Sequence, residues 1–129
     1  MPRRAIVEGP GLAKALGPYS RAVWAGETLY LSGQTGIDGA TGKLVEGGAG
    51  AETRQVLQNI AAVLTVAGLS FADVVKSNVY LIDIQDFSAM NEVYSRFFEE
   101  PYPARTTIAV NALPGGARVE IEVVAMALA

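Results

Sequence analysis

Three residues carry most of what this chain can offer to chemistry: Arg105, Glu120 and Glu122. They stand out because the chain has no histidine and no cysteine. That removes an imidazole base and a Ser-His-Asp triad, a thiolate nucleophile, disulfides, Cys-ligated iron–sulfur clusters and zinc fingers. Catalysis must run on carboxylates, Lys, Arg, Tyr, hydroxyls, backbone groups or bound water. Arg105 follows Tyr102-Pro103-Ala104 at the start of an extended segment. A guanidinium fixed at a strand end can present a forked pair of donors to a carboxylate; the alternative role is an ion pair with a glutamate. Glu120 and Glu122 stand at i and i+2, so they share one strand face, roughly 7 Å apart. That suits a paired-acid site, but Glu-x-Glu is common in exposed strands and does not by itself assign glycoside hydrolysis. The 13 acidic residues are scattered, with no D-x-D-x-D loop, and no metal site is expected.

These residues need elements to hold them. Five strands are expected, at Ser20–Trp24, Thr28–Ser32, Lys76–Ile82, Arg105–Val110 and Arg118–Met126, with a weaker sixth near Arg4–Val7. Gly26-Glu27 suits a tight hairpin between the first two, and Leu113-Pro114-Gly115-Gly116 a type II turn. Two amphipathic helices are expected. One covers about Ala51–Ala67, with Val56, Leu57, Ile60, Leu64 and Ala67 on one stripe, Glu52 at its positive end and Gly68 as its stop. The other covers about Phe87–Phe98, with Asp86 as N-cap, Phe87, Met90, Tyr94 and Phe97 buried, and Pro101 as its stop. Ser70-Phe71-Ala72-Asp73 reads as a short capped turn. Gly36 to Gly50 holds six of the 14 glycines and reads as a long surface loop, without the spacing of a phosphate-binding loop.

Alternation sorts the strands into two faces. Leu29, Leu31, Val79, Leu81, Ile108, Val110, Val119, Ile121 and Val123 make an apolar face for the helices to cover. Lys76, Asn78, Tyr80, Arg105, Thr107, Arg118, Glu120 and Glu122 make the other. The expectation is an α+β sandwich with both helices on one side, and a polar, tyrosine-bearing face that is either solvated or buried by oligomerisation. A simple hairpin about Pro114-Gly115 would leave Arg105 roughly 13 Å from Glu120. Either the two strands are not adjacent, or a ligand and water fill the gap.

Composition bounds the rest. The 129 residues fit one domain, expected over 1–129, and are 50% hydrophobic and 18% charged, which argues against disorder. A net charge of −3 gives no field to draw the chain to nucleic acid or anionic membrane. The longest strongly apolar stretch, Ile60 to Leu69, falls far short of the ~20 residues needed to span a bilayer. Arg3 and Arg4 are followed at once by Glu8 and the turn Gly9-Pro10-Gly11, not by a signal-peptide core, so a cytoplasmic location is expected.

A series of motifs, in order along residues 4 to 128, resembles the RidA/YjgF family. They are Gly17-Pro18-Tyr19-Ser20, Leu31-Ser32-Gly33-Gln34, Thr53-Arg54-Gln55-Val56-Leu57 with Asn59-Ile60, and Val75-Lys76 with Asn78-Val79-Tyr80. Asp86-Phe87, Asn91 with Tyr94, Pro103-Ala104-Arg105-Thr106-Thr107, Leu113-Pro114 and Val119-Glu120-Ile121-Glu122 complete the series. The resemblance implies a chorismate-mutase-like α+β fold of about six strands, assembled as a trimeric barrel with ligand clefts between subunits. It implies hydrolysis of 2-imino acids, such as 2-iminopropanoate and 2-iminobutanoate and their enamine tautomers, to 2-keto acids and ammonia, with no cofactor or metal. Arg105 matches the arginine that grips the substrate carboxylate, and Glu120 the acid that positions or activates water. Gly33 and Thr107 match positions whose backbone contacts the ligand, and Tyr19, Ser32, Lys76 and Asn91 match cleft residues. Two features depart from the family: Thr107 stands where many members have cysteine, and the Glu99-Glu100-Pro101-Tyr102 segment is short. The alternatives are an endoribonuclease, for which an acidic chain without histidine is poorly suited, a non-catalytic ligand-binding trimer, or a deaminase serving a specialised catabolic route.

Overall fold

The computed structural model describes residues 3–6, 9, 11–12 and 15–127. Val7, at the end of the weakest expected strand, and Glu8 and Pro10 of the expected turn lie outside them. The elements are β1 (Arg4–Ile6), β2 (Ala22–Ala25), β3 (Thr28–Leu31), β4 (Gln34–Thr35), α1 (Gly48–Val66), β5 (Val74–Leu81), α2 (Phe87–Tyr94), β6 (Ala104–Ala109) and β7 (Val119–Met126). The strands form one sheet of order β1-β2-β3-β7-β5-β6, with β4 also on β7. All pairings are antiparallel except β5–β6, whose parallel connection carries α2. The described residues thus form seven strands where about six are expected, and the sheet of one chain is open.

Alternation explains the central strands. Val119, Ile121, Val123 and Ala125 of β7 and Val79 and Leu81 of β5 are buried, and face Val56, Leu57, Ile60, Val63 and Leu64 of α1. Helix α1 begins three residues earlier than its apolar stripe suggests, inside the glycine-rich stretch. Gly47 at φ 118° supplies the reversal that starts it, and a Cβ there would come within 2.8 Å of Ala51. Glu52 is not a solvent-facing partner of the helix end. It is buried, and its Oε1 accepts a 2.7 Å hydrogen bond from the backbone N–H of Arg118 ahead of β7.

The turn at Ser70–Asp73 carries the full reciprocal capping pair, as its sequence pattern predicts. Helix α2 ends at Tyr94 rather than Phe98, and buries Met90, Val93 and Tyr94, whereas Phe87 is exposed. Asp86 precedes α2 without capping it. Its carboxylate instead takes a forked contact from Arg118, at 2.8 Å (Nη2) and 3.0 Å (Nε). Arg118 therefore belongs to a structural ion pair and not to a polar cleft.

The largest correction concerns β6. Its register sets Arg105 opposite Ser77 and Thr107 opposite Val79, so both lie on the helix-covered side, while Ile108 lies on the open side, 45% exposed. The alternation was legible but its sign was not. As an edge strand, β6 is not obliged to bury its most apolar residues under the helices. The open face of the sheet joins Ile108 to Tyr30, 53% exposed, and to Val23, Val124 and Met126, interleaved with Lys76, Asn78, Tyr80, Glu120 and Glu122.

Candidate active site

The expected site residues fall into two groups on opposite sides of the sheet. Arg105 anchors the first. Its backbone is fixed by pairing with Ser77 of β5, and its guanidinium carbon sits 4.7 Å from the Tyr94 ring centroid and 5.6 Å from that of Phe87. The Tyr94 hydroxyl is held in turn by Ser77 Oγ at 2.7 Å, and its ring stacks on Phe98 at 4.3 Å. Burial raises the Tyr94 pKa above its ordinary value, opposed by the Ser77 hydrogen bond and the Arg105 charge, so the shelf beneath the guanidinium is neutral at physiological pH.

Among the described residues, the ion pairs are Arg96–Glu92 and Arg118–Asp86, and Arg105 is in neither. The alternative role of ordinary ion-pair partner is therefore excluded among the described residues. Arg105 lines a cavity with Asn91, Tyr94, Ser95, Tyr102 and Pro103. Thr107, two residues on along the same strand face, has a buried Oγ1 with no hydrogen-bond partner. Phe87, Asn91 and Tyr94 stand at i, i+4 and i+7 on α2, the spacing of one helix face. That spacing also suits a core stripe, so the contact of Phe87 and Tyr94 with Arg105 is set by the register of β6 on β5.

Glu120 anchors the second group. Its backbone pairs with Thr35 on one side and Tyr80 on the other, on the open face. Its carboxyl group lies directly over Gly33: a Cβ on Gly33 would meet Glu120 Oε2 in a clash and stand 2.9 Å from its Cδ. Gly33 is thus needed for close approach. Gly33 and Tyr19 line a second cavity with Leu16, Arg21, Gln34 and Thr35, whose wall is completed by Asn59. Asn59 Nδ2 donates to the carbonyls of Thr35 (3.3 Å) and Ile37 (2.9 Å), which fixes the loop after β4. Ser32 Oγ donates to the Ser20 carbonyl at 2.6 Å and so ties the Tyr19 loop to β3.

Burial raises the Glu120 pKa, and the neighbouring Glu122 charge raises it further. Glu122 accepts from Tyr80 Oη and, at 3.3 Å, from Asn78 Nδ2. The Tyr80 pKa is pushed up to about 12, first by that hydrogen bond to Glu122, then by burial and the two glutamate charges. Tyr80 therefore remains a donor at neutral pH. Lys76 joins neither cavity; it lies on the open face and donates to Thr106 Oγ1 at 3.1 Å.

The strands of Arg105 and Glu120 are not adjacent, which settles the choice left open by the sequence. Arg105 aligns through Ser77 with Val123, three residues from Glu120 on β7. The two Cα atoms are thus roughly 14 Å apart, and their side chains leave opposite faces. One chain offers an anion-seeking guanidinium on an aromatic shelf, and elsewhere a carboxyl group poised as a proton acceptor. It does not bring them to one reacting centre. Among the described residues no group of three acidic side chains could hold a metal ion, and no helix is long and apolar enough to cross a membrane.

The endoribonuclease L-PSP family model matches residues 11–127. A 2-iminobutanoate/2-iminopropanoate deaminase of Capra hircus is 49% identical over 123 residues, covering 95% of this chain and 90% of that protein. Among solved structures, RidA of an Antarctic Psychrobacter is 45% identical with a TM-score of 0.91, covering 96% of this chain and all of that one. E. coli TdcF with bound serine is 34% identical with a TM-score of 0.90, covering 97% of this chain and all of that one.

Proposed function

The chain belongs to the endoribonuclease L-PSP family, the RidA/YjgF family, and from that premise we propose that it hydrolyses 2-imino acids to 2-keto acids and ammonia in clefts shared between subunits. The observation that carries this reading is Arg105: a guanidinium held over the rings of Tyr94 and Phe87, with no carboxylate partner among the described residues. Such a group recognises a planar anion through parallel donors. The substrate carboxylate binds there, with Asn91 and Tyr102 at the rim and Thr107 beside it. Serine, bound in the TdcF structure, is a small ligand that likewise carries a C1 carboxylate.

The water-activating group comes from a second copy of the chain. Glu120 and Arg105 leave opposite faces, so a complete site requires the Tyr19–Ser32–Gly33–Glu120 side of one subunit against the Arg105 side of the next. A closed ring of three supplies three such heterologous junctions and covers the apolar open face with Tyr30 and Ile108. In the site, Glu120 accepts a proton from water as its oxygen attacks C2 of the imine, forming a carbinolamine. Glu120 returns the proton to the nitrogen and takes up the carbinolamine hydroxyl proton as the C–N bond breaks, so that ammonia leaves as the C=O bond of the keto acid forms. Imines hydrolyse readily, so positioning supplies much of the acceleration, and the reaction as drawn uses no cofactor or metal. Lys76 supports the open face rather than the substrate. A cytoplasmic setting, where pyridoxal-phosphate dehydratases release such imines, belongs to the same reading.

Subunit mixing tests it. Arg105→Ala and Glu120→Gln are each expected to lower kcat/KM for 2-iminobutanoate, released by a threonine dehydratase, on the order of 10²-fold or more. Co-refolded in equal amounts, they should regain activity at about a quarter of the sites, those pairing an intact Glu120 with an intact Arg105 from the neighbour. No recovery in mixed trimers, or a 13.5 kDa monomer active alone, would refute the shared cleft.

A further inference from the structure

Arg21 is the least explained residue of the fold. It is 7% exposed, one of four buried polar or charged residues among those described. The other three are accounted for: Glu52 accepts from Arg118 N–H, Thr53 Oγ1 donates to the Ala49 carbonyl, and Ser77 bonds Tyr94. Arg21 has no ion pair among the described residues, and its buried Nε has no hydrogen-bond partner. A buried cation without a counter-charge is costly, and native folds rarely leave one so. The backbone around it is firmly set. The Arg21 carbonyl accepts from Ser32 N–H at 2.8 Å, one residue before Gly33. Arg21 lines the cavity of Tyr19 and Gly33, in which the nine other lining residues among those described are uncharged. Among the described residues that line this cavity, Arg21 is thus the charged one, and the lining includes the glycine over which Glu120 lies.

We propose that Arg21 makes this half of the cleft a receptor for a second carboxylate, so that the substrates include 2-imino acids with an acidic side chain. The inference rests on the deaminase reading of the same cleft and extends it to a substrate class. Arg105 takes the carboxylate on C1, Glu120 addresses C2, and Arg21 receives the anionic end of the side chain. A guanidinium suits this role because it binds carboxylate through paired donors and needs no proton from solution.

The test uses a matched pair of product analogues, 2-oxoglutarate and 2-oxopentanoate, which share a five-carbon chain and differ in a terminal carboxylate against a methyl group. In titration calorimetry the wild-type oligomer should bind 2-oxoglutarate about tenfold or more tightly than 2-oxopentanoate, the range expected for a hydrogen-bonded charge. Arg21→Gln should bind the two alike, and Arg105→Ala should weaken both. In turnover, with the imines of glutamate and norvaline generated by an amino-acid oxidase, the ratio of kcat/KM values should fall by the same factor in Arg21→Gln. Equal binding by wild type, or a preference that survives Arg21→Gln, overturns the proposal. So does dissociation of the oligomer in Arg21→Gln, which would make a partner's carboxylate its counter-ion. A binding preference without any turnover of 2-iminobutanoate would sink the deaminase reading while upholding the second-carboxylate site.

Discussion

Replacing Gly33 by alanine puts a methyl group where the Glu120 carboxyl now lies. The backbone accepts the change, since Gly33 is not among the glycines at positive φ. The whole effect falls on Glu120. The new Cβ would stand 2.9 Å from Glu120 Cδ and 3.2 Å from its Cγ, and would clash with Oε2, whereas ordinary contact begins near 3.4 Å. The carboxyl carbon must retreat by about 0.5 Å and the oxygen by more, and misplacement of a reacting group by ~1 Å costs on the order of 10²-fold. Gly33→Ala should therefore lower kcat about 10- to 100-fold in the dehydratase-coupled keto-acid assay, with thermal stability and oligomeric state retained. Glu120→Asp, one methylene shorter, withdraws the carboxyl group from the methyl. The double variant should lose little beyond Glu120→Asp alone, a non-additive result that marks direct contact. Turnover of Gly33→Ala within twofold of wild type, or strict additivity in the cycle, would refute both the contact and the placement of Glu120 at the reacting carbon.

Glu120 acts as a base only when ionised, and burial followed by the Glu122 charge raises its pKa, so the acid limb of the kcat/KM profile should lie above the ordinary carboxylate range. Glu122→Gln keeps an acceptor for Tyr80 but removes the like charge, and should move that limb to lower pH; an unmoved limb would assign it to another group. By linkage, a carboxyl whose folded pKa is raised destabilises the fold above that pKa and is relieved as pH falls through it, so Glu120→Gln should gain stability on the alkaline side. Glu52→Ala strips the Arg118 N–H of its buried acceptor and should cost ~1.5–3 kcal/mol in urea denaturation, with Glu52→Gln losing less; equal stability of all three would mean water replaces the bond.

Local patterns in the chain predict the elements well where each strand or helix meets one well-defined environment. The α1 stripe, the Ser70–Asp73 capping pair and the alternation of β5 and β7 all belong to this kind, because the residues that decide them are neighbours in sequence. The two-residue β4 is too short to show alternation, and α1 starts within the glycine stretch because the Gly47 reversal, not an apolar residue, begins it. Which face an edge strand turns to the helices is decided by its register with β5, which nothing local to β6 encodes. For that reason Arg105 was legible as a carboxylate-seeking group while its neighbours were not, and Phe87 and Tyr94 looked like core.

The same distinction separates the two ways this fold marks a site. Residue type and spacing singled out Arg105 and Glu120, but satisfaction of a buried polar atom depends on partners that only the folded chain assembles. Among the described residues, two buried side-chain polar atoms have no hydrogen-bond partner, Arg21 Nε and Thr107 Oγ1. Thr107 follows Arg105 on one side of the sheet, and Arg21 lines one cavity with Glu120's glycine on the other. Each half of the proposed cleft therefore holds one of the two open valences. A fold that answers the buried groups of Glu52, Thr53 and Ser77 with partners of its own has left unanswered those that face where a ligand and a second subunit would lie.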